Sequence, residues 1–123
     1  MFIDYDNTLT LNVHVTDWEA SKAFYRDILG MTMDFEVPEV GWAEFSWGVT
    51  GTTIGLNRVD AVSPTDAITL TIGVTDIAAA RKTLESRGVV FEGDIDEVPE
   101  MVRLSFFADP DGNKLCLAQS LMR

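Results

Sequence analysis

Cysteine and histidine are almost missing from this chain: Cys116 and His14 are the only ones in 123 residues. A lone cysteine excludes an intrachain disulfide and agrees with a reducing compartment. Positive charge is scarce too, with nine Lys and Arg against twenty Asp and Glu and a formal net charge of −11. Nucleic acid is excluded as a partner, because neutralising phosphates takes clustered Lys and Arg, and no basic run exists. No apolar stretch approaches the ~20 residues that cross a bilayer, so no membrane partner is expected. The opening residues MFIDYDNT have neither a basic segment nor an apolar run, so no secretory signal is expected and the cytoplasm is the expected location. Ser-His-Asp order, a Walker loop and CxxC are all absent, and Gly48, Gly51 and Gly55 form no GxGxxG pattern.

What is present is a globular composition, 46% hydrophobic, in a length that buries the core of one domain, 1–123. Within it one phrase occurs twice. TLNVHVTD, residues 10–17, is followed by WEASKAFYRDILGM; TLTIGVTD, residues 69–76, is followed by IAAARKTLESRGVV. A strand, a Thr-Asp corner and an amphipathic helix recur, which marks one supersecondary unit used twice.

The alternation over 9–16 predicts a strand, with Asp17 as the N-cap of a helix whose Ala20, Phe24 and Ile28 share a face and which Gly30 ends. Strands follow at 32–37, 42–47 and 52–58, with a turn at 38–41 and a hairpin at 48–51. Residues 60–66 read as a linker. The second copy predicts a strand over 67–75, a helix capped by Asp76 and ended by Gly88, and a short strand at 89–93. An acidic loop then carries Glu92, Asp94, Asp96, Glu97 and Glu100, and strands at 101–108 and 114–119 flank the turn Asp109-Pro-Asp-Gly112. The order is β-α-β-β-β in each copy, giving modules 9–58 and 67–120 and an α+β fold.

Parity sorts the strand residues. Leu11, Val13 and Val15 oppose Thr10, Asn12 and His14; Ile54 and Leu56 oppose Thr53, Gly55 and Asn57. Ile68, Leu70, Ile72 and Val74 oppose Thr69, Thr71 and Gly73, and Leu115 and Leu117 oppose Lys114, Cys116 and Ala118. The oily sides belong under the helices. The small, polar sides are expected to line a ligand-sized concavity.

Asp17 with FYRDILGM, the second VTD-helix-RG unit and the terminal FADPDGNKLCL together resemble the vicinal oxygen chelate superfamily of glyoxalase I, bleomycin-resistance and extradiol dioxygenase proteins. The resemblance runs from Leu9 to Ala118. It implies two βαβββ modules forming a curved half-barrel sheet around a central cavity, commonly in a dimer. It also implies four metal-ligand positions, which fall at Thr10, Gly55, Thr69 and Cys116. Glycine has no ligand atom and threonines are poor ligands for a transition metal, so no metal and no cofactor are expected.

The reading that follows is a metal-free small-molecule-binding protein close in character to the bleomycin-resistance members. Asn12, His14, Trp47, Asn57, Thr71 and Cys116 would bind an aromatic or cationic ligand. Parity splits Trp42 from Phe45 and Trp47, so the three do not share a face; a Trp beside a carboxylate such as Glu44 suits such a molecule through stacking and cation–π contact. The alternative is a lyase, isomerase or dioxygenase that uses either a metal at other positions or His14 as general base. Phe2, Ile3 and Tyr5 form an apolar segment outside the repeat, and a homodimer is expected.

Overall fold

The computed structural model describes residues 2, 4–65 and 67–122; Ile3 of the apolar segment and Asp66 of the linker lie outside them. The chain divides into two compact units, Met1–Val62 and Ser63–Arg123. The first contains β1 (Leu9–Val15), α1 (Trp18–Ala23), β2 (Thr32–Val37), β3 (Trp42–Ser46) and β4 (Thr52–Arg58). The second contains β5 (Leu70–Gly73), α2 (Ile77–Ser86), β6 (Glu92–Val98), β7 (Val102–Ala108) and β8 (Lys114–Ser120). Each forms an open four-stranded mixed sheet, in the orders β1-β4-β3-β2 and β5-β8-β7-β6. The first and last strands of each unit pair in parallel and the others antiparallel. No helix among the described residues is long and apolar enough to cross a membrane.

Both Asp caps form as expected. Asp17 Oδ1 accepts from the Ala20 N–H at 3.0 Å, and Asp76 Oδ1 from the Ala79 N–H at 3.1 Å. The face of the first helix differs from the expected one. Ala20 is exposed, while Trp18, Ser21, Lys22, Phe24 and Tyr25 are buried and Ile28 is half-buried. The helix continues into a π turn over Phe24–Ile28, where the Leu29 N–H reaches back to the Phe24 carbonyl. The extra residue rotates the buried stripe, and a serine and a lysine within that stripe hid it from a hydrophobicity pattern.

Lys22 is buried because its charge is fully matched. Its Nζ lies 3.0 Å from Glu19, 2.9 Å from Glu36 and 3.8 Å from the centroid of the Trp18 ring. Burial alone lowers its pKa, but the two carboxylates outweigh that and hold it above the ordinary lysine value.

The core of the first unit centres on Tyr25, whose ring is 5.4 Å from Phe24 and 6.2 Å from Phe45, over Val15, Ile54 and Leu56. In the second, the tilted rings of Phe91 and Phe107 lie 5.1 Å apart and are buried along with Ile77, Leu84 and Leu115.

Two second-unit expectations are corrected. The strand expected over 67–75 is only β5, Leu70–Gly73. The acidic stretch is no loop but the edge strand β6, whose pairing with β7 shifts register between Glu92 and Asp96. Glu97 opposes Arg103 and pairs with it at 3.3 Å, so part of the carboxylate run is compensated across the ladder. A bulged, charged edge also resists pairing with other chains.

The Asp109 turn rests on one buried carboxylate. It accepts from the Asp111 N–H at 3.0 Å, the Asn113 N–H at 2.9 Å and Asn113 Nδ2 at 2.9 Å. Asp109→Ala leaves these donors without their acceptor and is expected to cost about 2 kcal/mol, lowering Tm by roughly 5–10 °C in a thermal melt. Asp109→Asn, which keeps one acceptor oxygen, recovers part of the loss. An unchanged melting curve for the alanine variant contradicts this account of the turn.

Candidate functional site: the open face of the first unit

The face of each sheet turned away from its helix carries the chemistry. In β1 and β4 the alternation is as read: Val13, Val15, Ile54 and Leu56 are buried, and Thr10, Asn12 and His14 are exposed. Strand register assembles this face in rows. Asn12 lies opposite Gly55, and Gly55 opposite Glu44. His14 lies opposite Asn57, and Asn57 opposite Trp42. Thr10 faces Thr53, their hydroxyls 3.3 Å apart.

At the centre of these rows Gly55 is where another backbone position would carry a side chain. A Cβ there would run into the far edge of the Trp42 indole, which occupies that space instead. The ring is held in place from its other side: Trp42 Nε1 donates to Glu44 Oε1 at 3.1 Å. Glu44 opens on a recess of about 370 Å³ lined by Thr8, Thr10, Ser46 and Thr53 among others. Ser46 Oγ donates to Asp34 Oδ1 at 2.9 Å at its rim.

Among the residues singled out from sequence, Asn12, His14 and Asn57 share this face. Trp47 follows the last residue of β3, which ends at Ser46 rather than at residue 47, so strand parity does not place it. The aromatic on the face is Trp42, whereas Phe45 is fully buried on the helix side. Trp42 and Glu44 were visible as an aromatic and a carboxylate of one parity. An isolated glycine inside a strand is itself a sign of close approach by another group, but which ring approaches Gly55 is seen only in the diagonal contact from Trp42, whose register partner is Asn57.

Thr71 and Cys116 belong to the second unit, where they are register partners on β5 and β8. Thr71, Gly73, Ala118, Ser120, Met101 and Met122 are among the residues around a groove of about 820 Å³. Cys116 is 1% exposed, and burial pushes its thiol pKa up, with the Ser105 backbone, Lys114 and Thr71 only partly offsetting this. Such a thiol is a poor nucleophile and a poor metal ligand, since the thiolate does both jobs.

The four positions where the resemblance implies a metal therefore do not fit one. Gly55 has no donor and its space is taken by the indole; Cys116 is held as a buried thiol; Thr10 and Thr69 offer neutral hydroxyls. Among the described residues no three His, Cys, Asp or Glu side chains cluster so as to hold a metal ion.

Comparison with known proteins agrees with the architecture. Among curated proteins none matches the chain. The solved structure of TnmS3, an antibiotic-binding protein from Streptomyces sp. CB03234, is 28% identical, with 98% of each chain covered and a TM-score of 0.79. A superfamily member from Sphaerobacter thermophilus is 26% identical, with 98% of this chain and 100% of that one covered and a TM-score of 0.79. Lactoylglutathione lyase from Agrobacterium tumefaciens shares the fold at 18% identity, with 93% of each chain covered and a TM-score of 0.73. The model of the Glyoxalase/Bleomycin resistance protein/Dioxygenase superfamily matches residues 8–117, nearly the whole of both βαβββ units, and the chain belongs to that superfamily.

Proposed function

We propose that this protein binds a small aromatic or cationic molecule without a metal, holding it against the open face of its first unit. The observation that carries the reading is the Trp42 indole laid over Gly55 and hydrogen-bonded to Glu44. A ring fixed on both sides is a preorganised stacking surface, and little conformational entropy is lost when a flat ligand meets it. Asn12 and Asn57 flank it with amide donors and acceptors. His14, opposite Asn57, then serves as a hydrogen-bonding group for the ligand rather than a general base. The likeness to TnmS3, an antibiotic-binding protein, supports a small-molecule-binding role. The reading extends to a cytoplasmic homodimer, with exposed Phe2, Tyr5 and Leu9 as candidate contact residues.

Three measurements test this. Calorimetry of the purified protein against a panel of aromatic and cationic compounds is expected to find micromolar binders, and Trp42→Leu to weaken them at least about ten-fold. A panel without binders, or binding indifferent to Trp42→Leu, defeats the reading. Gly55→Ala is expected to cost about 1–3 kcal/mol by forcing the indole aside, and far less when Trp42→Leu is already present. Urea unfolding of the wild type, the two single variants and the double variant reads this coupling, and strictly additive costs contradict the filled position. Sedimentation at micromolar concentration is expected to show twice the chain mass; a monomer removes the dimer from the proposal.

A further inference from the structure

In the recess beside Glu44, charge and shape are both specified. We propose that it is a cation subsite, taking the protonated primary amine of a ligand whose planar ring lies on the Trp42 indole. The inference rests on the ring-binding reading above and names the class of ligand: an aromatic ring joined by a short link to an ammonium group.

Glu44 supplies the charge. One of its oxygens accepts the indole N–H, and none of the ion pairs among the described residues includes it. A half-buried carboxylate that lacks a cation attracts one more strongly than a fully hydrated carboxylate does. The remaining wall is hydroxyl. Thr10 and Thr53 offer oxygens 3.3 Å apart, and Ser46, which spends its proton on Asp34, keeps its lone pairs for a donor. An ammonium has three N–H donors and no acceptor, which suits one carboxylate oxygen and neighbouring hydroxyl oxygens. At about 370 Å³ the recess lies at the small end of the ~300–1,000 Å³ range of ligand pockets, so it suits a head group better than a whole ligand. The net charge of −11 adds a long-range field of the same sign.

A matched pair of probes isolates the charge: 2-naphthylmethylamine, protonated at pH 7, and the neutral 2-naphthylmethanol, each titrated calorimetrically into the full chain. The amine is expected to bind at least about ten-fold more tightly at low salt, and the advantage to shrink at high salt. Glu44→Gln, whose amide oxygen still accepts the indole N–H, is expected to abolish the advantage, so that the amine binds no more tightly than the alcohol. Thr10→Val keeps the carboxylate and is expected to reduce the advantage about three-fold, which provides a second reading should the glutamine variant fold poorly. Equal binding of both probes to the wild type, or an advantage that survives Glu44→Gln, overturns the cation subsite and leaves the stacking surface standing. Binding of neither probe overturns both.

Discussion

Two parallel strands cannot be joined by a tight turn, and each half of this chain pairs its first strand with its last in parallel. That pairing organises everything else. It requires a helix and two further strands to intervene between β1 and β4, and again between β5 and β8. The last strand becomes interior to its sheet, with neighbours on both sides. Gly55 and Cys116 sit there, each opposite a residue of the first strand and one of the preceding hairpin strand. A side chain at these positions meets groups from two neighbouring strands at once, which is why a glycine there has large effects.

At Gly55 the effect is a substitution of one kind of site for another. A glycine in an interior strand weakens the sheet, since it has more backbone freedom to lose and no side chain to pack. Here the missing side chain is replaced by the indole of Trp42, which packs into the vacated space from the next strand. The ring gains a floor of backbone and the strand regains cover. The two residues thus form one structural unit, and its upper surface is aromatic where a ligand atom for a metal would otherwise project.

Much of the fold was legible because it is written in local rules. The two Asp caps, the alternation in β1 and β4, and the Asp109 turn depend on residues within a few positions of each other, and each formed as read. The failures have non-local causes. The buried face of α1 passes through Ser21 and Lys22, which are polar in sequence and buried only because Glu19, Glu36 and the Trp18 ring compensate the lysine. The acidic segment of β6 looked like a loop because its carboxylates are disfavoured in a strand on their own; the ladder with β7 and the Glu97–Arg103 pair supply what the segment lacks. For the site, the type of residue was visible and the neighbour was not: Trp42 and Gly55 are far apart in sequence and meet only through register.

The repeat itself explains shape and not function, because its two copies carry different chemistry on equivalent strands. In the first unit the residues opposite the interior strand are Glu44 and Trp42, across from Gly55 and Asn57. In the second they are Phe106 and Leu104, across from Cys116 and Ala118. Charge is distributed differently as well. The second unit's Lys114 is engaged internally, 3.8 Å from Glu92 and 5.4 Å from the Phe106 ring centroid, so its face holds a neutralised pair. The first unit's Glu44 has a hydrogen bond from an indole but no counter-cation among the described ion pairs. A half-buried carboxylate whose one partner is a neutral indole N–H keeps acceptor capacity for a further donor. Beside the ring fixed over Gly55, that capacity is what the proposed ligand's ammonium group would use.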